Sequence, residues 1–376
     1  MNNKANYKKG HRRDITELLL QTGTIPLRTV MLTKDNSKGF RQQVYIMIKD
    51  GSLKTTGRGQ EKVVTLSRYE DVKTDMQETI PKLIKYYEAY GQDDAYAAQS
   101  LKDSRRERTI RNAETHIFFS GTKYKTNLIE KESLFPLEKK ITGCNYYSNR
   151  EVKGIIEYQV NKDQAGKITG RTRCNGMVVS PGGNYIVYDS FNHRLETDVG
   201  ENRIVNHCNT ILSAKDMNLL KGGIILAKNY GIIERYINPS NRRYEQMTDN
   251  LCCAYPKIYG ITLDKEGQRL TNLMTLPHWE ERMYKTFIEN TKMTGYEEIA
   301  CNGKDSDGNY YMVFCSPDIK MLREFIRGAR AIENKERCRI ICFDFQQDFI
   351  VGLAKDYCKI FTVKFDDYVK EIGADV

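Results

Sequence analysis

Residues 37–66 read Ser37-Lys38-Gly39-Phe40-Arg41-Gln42-Gln43-Val44-Tyr45-Ile46-Met47-Ile48-Lys49-Asp50-Gly51-Ser52-Leu53-Lys54-Thr55-Thr56-Gly57-Arg58-Gly59-Gln60-Glu61-Lys62-Val63-Val64-Thr65-Leu66, and the hydrophobic period changes inside them. As far as Lys49, the apolar positions Phe40, Val44, Met47 and Ile48 recur at helical spacing, with Ser37 where a cap belongs. Asp50-Gly51 closes that helix. The period then drops to two: 52–56 and 62–66 read as strands around Gly57-Arg58-Gly59-Gln60, a hairpin signal.

Upstream, 11–22 repeats Ile15, Leu18 and Leu19 at helical spacing, with Asp14 and Glu17 near its start and Gly23 after it. Residues 25–32 predict a second short helix through Leu27, Val30 and Met31, with Pro26 in its first turn. Three helices followed by a basic hairpin make a winged helix-turn-helix over 1–68. In that arrangement the third helix enters the major groove and the hairpin tip lies along the backbone or minor groove.

The charge agrees with this layout. The 376 residues are 40% hydrophobic and 29% charged, with a net charge of +10. That is an ordinary soluble composition, long enough for two or three domains. Residues 1–68 hold fourteen Lys/Arg against five Asp/Glu, a net of +9, while the rest hold 45 against 44. Charge kept only for solubility would not segregate this way, whereas a module that meets a polyanion would. No apolar run approaches the roughly eighteen residues of a membrane span. The first residues carry no apolar stretch of signal-peptide length, and the ten cysteines are scattered apart from adjacent Cys252 and Cys253. A cytoplasmic chain with reduced thiols is expected.

The exposed face of the third helix is expected to carry Lys38, Arg41, Gln42 and Tyr45, with Gln43 on its flank. Arg and Gln make bidentate bonds to guanine and adenine edges. Lys54, Arg58 and Lys62 on the hairpin, with Lys8, Lys9, Arg12 and Arg13 at the start, suit phosphate contacts, which position without reading sequence. On this division Arg41→Ala relaxes sequence preference, while Arg58→Ala weakens binding to all duplexes alike. The competing readings are a solvated helix face and a winged helix that docks protein.

A helical connector is expected over 69–140. It comprises one helix at 69–90, kinked at Pro81, and a second, very polar one at 94–119. Helices leaving a winged helix support homodimers, so a second copy is one expected partner. Residues 141–376 alternate short apolar strands with helical patterns, among them strands at 173–180, 185–189, 222–227 and 255–263. The end of the chain reads strand (337–345), helix (347–356), strand (359–365), helix. That order predicts a mixed α/β domain with a terminal βαβ unit.

Three stretches carry a resemblance: Arg105-Arg106-Glu107-Arg108 leading to Ala113-Glu114; Ser148-Asn149-Arg150-Glu151-Val152-Lys153; and Ile168-Thr169-Gly170-Arg171-Thr172-Arg173-Cys174-Asn175-Gly176-Met177-Val178-Val179. They resemble the replication-relaxation family of conjugative elements and plasmids of Gram-positive bacteria, over most of the chain to about Asp189. The resemblance implies an amino-terminal winged helix and a carboxy-terminal domain like restriction-endonuclease folds. It also implies a DNA-binding accessory role in mobile-element replication or transfer, beside relaxase or replication proteins.

A nuclease of that fold needs an Asp at the start of one core strand and Glu-x-Lys on the next, to hold Mg²⁺ and steady the attacking water. Here those positions are Asn175 and Tyr188-Asp189-Ser190. Asp189 and Glu196 remain as acids, without the basic member. The domain is therefore expected to be a degenerate, non-cleaving relative of that fold, and a metal-dependent nuclease is the alternative. No enzymatic role, metal or cofactor is expected. The five histidines include no His-x-His, there is no Cys-x-x-Cys, and no Walker-type loop is present. Cys338 and Cys342 lie on an expected buried strand. Asp305-Ser306-Asp307-Gly308-Asn309 starts like a calcium loop but has Ser316 at its twelfth position, so a hairpin turn is expected.

Overall fold

The computed structural model of the chain describes residues 10–33, 37–57, 59, 62–67, 103–127, 130–134, 139–160, 172–191, 200–289, 291, 298–332 and 334–375. Among them it is a mixed α/β chain with twelve α-helices and twelve strands. It divides into two compact units, Met1–Gly170 with Cys174–Val179, and Arg171–Arg173 with Ser180–Val376. This division differs from the expected boundaries at 68 and 140. The expected helix at 69–90 lies outside the described residues.

The first unit begins with α1 (His11–Thr22), which Gly23 ends in the left-handed conformation, its amide bonded to the Leu19 carbonyl. A two-residue strand, β1 (Ile25–Pro26), and a 3-10 turn (Val30–Leu32) follow. The second helix expected over 25–32 is thus replaced by a strand and a turn. The reason is tertiary: Ile25 is fully buried and pairs with Val64, while Pro26 pairs with Val63 at the sheet edge, where a missing N–H is tolerated.

Next come α2 (Ser37–Lys49), β2 (Leu53–Thr56) and β3 (Val63–Leu66), the last two paired antiparallel from Leu53↔Leu66 to Thr56↔Val63. The sheet order is β1-β3-β2. On α2, Phe40, Val44 and Met47 are buried, as their spacing predicts, with Ile15, Leu18 and Leu19 of α1 also in this core. Truncating Phe40 to alanine would cost roughly 3–5 kcal/mol.

Helix α3 (Asp103–Ser120) buries Ile110, Ala113 and Ile117, and Phe119 stacks on Tyr146 with ring centroids 4.9 Å apart. Its Glu114 is fully buried and grips Arg28, on the turn after β1, through one guanidinium edge: Nε donates to Oε1, and Nη2 to Oε2 at 2.6 Å. Burial pushes the Glu114 carboxyl up, and Arg28 opposes that. Strand β4 (Asn145–Ser148) leads directly into α4 (Asn149–Gln159) through a capping box formed by Ser148 and Glu151. Buried Lys131 donates to Glu151 at 2.7 Å. Strand β5 (Gly176–Ser180) pairs antiparallel with β4.

In the second unit β6 (Gly183–Phe191), β7 (Leu220–Ala227) and β8 (Ile258–Thr262) run parallel. Consecutive residues Tyr185, Ile186, Val187 and Tyr188 are all buried, the continuous apolar pattern of a strand covered on both faces. Helix α5 (Glu201–Ala214) links β6 to β7, and α6 (Tyr230–Ile237) and α7 (Arg242–Ala254) link β7 to β8. After β8 come α8 (Lys265–Leu273) and α9 (Trp279–Ile288). Gly267 in α8 is required by space, since a Cβ there would lie 1.9 Å from the Thr262 carbonyl oxygen.

A second sheet has the order β12-β11-β10-β9, formed by β9 (Gly303–Lys304), β10 (Tyr310–Val313), β11 (Cys338–Phe343) and β12 (Lys359–Val363). Helix α10 (Ile319–Ala329) lies between β10 and β11, α11 (Gln347–Ala354) joins parallel β11 and β12, and α12 (Phe365–Glu371) follows. The expected terminal βαβ unit is present. The 305–309 stretch is the expected turn between antiparallel β9 and β10, with Gly308 at φ +79° and the Asp305 carboxylate accepting from the Asn309 amide at 2.8 Å.

Two predictions follow from buried charge. Arg28→Ala leaves the Glu114 carboxylate buried without its partner, which destabilises the first unit by about 3 kcal/mol in urea unfolding. Asp318, at the start of α10, accepts from the amides of Lys320 and Met321 at 3.0 and 3.2 Å. Burial pushes its carboxyl up to about 6 against the pull of Lys257. A raised carboxyl pKa favours the fold below the unfolded value near ~4 and loses that contribution as pH rises through the folded value. Asp318→Asn keeps an acceptor and removes the charge. Its melting temperature should therefore exceed the parent's at neutral pH, with the advantage gone by about pH 4.

Candidate nucleic-acid interface

Burying Phe40, Val44 and Met47 turns the opposite side of α2 to solvent. Lys38, Arg41, Gln42 and Tyr45 are exposed there, and Gln43 is half-buried on the flank. Arg41 lies over the Tyr45 ring, one helical turn on, at 5.7 Å to the centroid, and its Nη2 donates to the Tyr45 hydroxyl at 3.4 Å. The contact holds the guanidinium along the helix while leaving it open to solvent. Two further residues share this face, Ile46, 45% exposed, and Lys49. Sequence reading passed over both, although 38-42-46 and 41-45-49 are the i, i+4 rows that would have found them.

On the hairpin, Lys54 is half-buried and paired in register with Thr65, and Lys62 is exposed just before β3. Among the described residues, none of Lys38, Arg41, Lys49, Lys54 and Lys62 is ion-paired with a carboxylate. Arg58, Lys8 and Lys9 lie outside the described residues.

Arg12 and Arg13 have different surroundings. Arg12 donates from Nη2 to Asp50 Oδ2 and to Ser52 Oγ, each at 2.6 Å, and its side chain is only 17% exposed. It clamps the start of α1 to the α2–β2 turn. Burial alone would raise the Asp50 carboxyl, but bonds from the Ser52 hydroxyl and amide and from Arg12 leave it below its usual range. Arg13 pairs with Glu17 at 2.7 Å. The charge of both arginines is thus answered inside the unit.

The acids and amides considered for cleavage are also engaged. Asn175 is buried and donates from Nδ2 to Asn112 Oδ1 at 2.8 Å. Asp189 is fully buried and accepts from the Phe191 amide at 2.9 Å. Glu196 lies outside the described residues. Buried Glu201 accepts from Thr172 Oγ1 and the Tyr188 hydroxyl at 2.8 and 2.6 Å. Cys338 and Cys342 are buried on β11, and burial pushes their thiols up to about 11 and 12. Among the described residues no group of three His, Cys, Asp or Glu is placed to hold a metal, and no helix is long and apolar enough to cross a membrane.

No family model, no curated protein and no solved structure matches this chain.

The contrast between clamped and open cations is measurable. Arg12→Ala removes a partly buried ion pair and should lower the melting temperature of the first unit by several degrees, as a loss of about 1–2 kcal/mol requires. Lys38→Ala and Arg41→Ala, on the open face, should leave it within about a degree. Equal losses from all three would remove the distinction.

Proposed function

We propose that this chain binds double-stranded DNA through a winged helix-turn-helix, with α2 in the major groove and the β2–β3 hairpin along the phosphate backbone. The observation that carries the reading is the open face of α2. Cations and amide side chains stand there without carboxylate partners among the described residues, while Arg12, Arg13 and Arg28 of the same unit are paired internally. The element order α1, β1, 3-10 turn, α2, β2, β3, with β1 beside β3, supports it as well. Arg41 and Gln42 take the base-reading role, and Lys38, Lys49, Lys54 and Lys62 the phosphate role. Ile46 adds an apolar contact suited to a thymine methyl.

If the resemblance to the replication-relaxation family holds, this binding would serve a mobile genetic element, as an accessory to its replication, its transfer or the control of either. The second unit then serves as a non-cleaving scaffold or partner surface. Against the nuclease alternative stands the full burial of Asp189, whose Oδ1 accepts from the Phe191 amide.

Fluorescence anisotropy with duplexes from the element tests the reading. With about six cations engaged, affinity should fall on the order of a thousandfold between about 50 and 200 mM salt. Arg41→Ala should cost about 1–3 kcal/mol on the preferred site and narrow the gap to random duplex. Lys62→Ala should weaken all duplexes alike and lower the salt slope by about one. Salt-independent association, or none, would reject DNA binding.

A further inference from the structure

Three stretches far apart in the chain meet at one place in the first unit, and none of them belongs to α2 or the hairpin. Asn149, at the start of α4, donates from its amide to the Asn175 carbonyl at 3.0 Å and from Nδ2 to the Cys174 carbonyl. Asn175 in turn donates from Nδ2 to Asn112 Oδ1 of α3 at 2.8 Å. These bonds join α3, the first turn of α4 and the approach to β5.

Basic side chains one helical turn away share those faces. Arg108 stands four residues before Asn112 on α3, and Lys153 stands four after Asn149 and three after Arg150 on α4. Arg108, Arg150 and Lys153 are each half-buried. Burial pulls the Lys153 ammonium down to about 8, Arg108 and Arg150 act in the same direction, and Cys174 and the exposed Glu157 oppose them. The ammonium makes no hydrogen bond or ion pair among the described residues.

Gathering like charges around a half-buried ammonium works against the fold, because each cation disfavours the charged form of its neighbour. An anion between them reverses the sign of that interaction. Two guanidinium forks and an ammonium offer more donors than the two oxygens of a carboxylate can accept. A phosphate presents a further oxygen and a second negative charge.

We propose that Arg108, Arg150 and Lys153 form a phosphate-binding site, its ligand either a phosphate of a DNA backbone or a free phosphorylated solute. The inference stands apart from the groove assignment of α2, since no α2 residue takes part.

The test uses the full chain and inorganic phosphate. Calorimetric titration at fixed ionic strength, with chloride replacing phosphate in the control, should show one-to-one binding. Lys153→Met, close in shape and uncharged, should weaken it at least about tenfold through loss of a charge-assisted bond, and Lys153→Arg should retain it. Arg150→Gln should also lose phosphate binding, with circular dichroism reporting an intact fold. Without phosphate, Lys153→Met should melt at or above the parent, because it removes a charge held against two others. A duplex titration then separates the two sources of phosphate. If Lys153→Met also weakens duplex binding and lowers the salt slope by about one, the phosphate belongs to DNA. Unchanged duplex binding beside lost phosphate binding assigns it to a free solute. No phosphate binding by the parent, binding retained in Lys153→Met, or a lower melting temperature of that variant without phosphate overturns the proposal. Arg41→Ala and the parent's salt dependence decide the DNA-binding reading separately, so the two failures are told apart.

Discussion

The Arg28–Glu114 pair is the constraint on which the first unit rests. Glu114 is fully buried in the middle of α3, and an ionised carboxylate there is tolerable only with a partner that matches its geometry. The planar guanidinium of Arg28 does so with two parallel bonds. Because Arg28 sits on the turn after β1, 86 residues from Glu114, this pair fixes the small β1-β3-β2 sheet against α3. The Asn127–Glu17 hydrogen bond ties α1 to the same region. The face of α2 is therefore presented from a frame held by long-range polar bonds as well as by its apolar core.

Within that frame the basic residues separate by whether their charge is answered. Arg12, Arg13, Arg28 and Lys131 each meet a carboxylate of the same unit and act as braces. Lys38, Arg41 and Lys49 line one side of α2 with no such partner among the described residues. Exposed ion pairs are worth little to stability, so leaving these cations unpaired on α2 costs the fold almost nothing.

In the second unit the buried polar groups are directed inward. Glu280 accepts from Lys257, the Tyr259 hydroxyl and Ser316, and Glu201 from Thr172 and Tyr188. These networks secure strands and helix starts around the parallel strands β6, β7 and β8.

Much of this plan was legible in the chain. The α2 helix, the β2–β3 hairpin, the terminal βαβ unit and the 305–309 turn follow from local hydrophobic period and turn chemistry, which act over a few residues. The Ser148–Glu151 capping box is equally local, although its signal was not read as the start of a helix. Other features were not legible. β1 is two residues long and includes a proline, so only its pairing with Val63 and Val64 makes it a strand. Arg12 looked like any cation near a basic terminus until the fold brought Asp50, 38 residues on, to its side. Asp189 read as a candidate ligand because burial does not appear in residue identity. The amino-acid sequence by itself determined the local elements and the segregation of positive charge into residues 1–68. Tertiary structure alone decided which of those charges are braces and which stay open, because pairing depends on contacts between residues far apart in the chain.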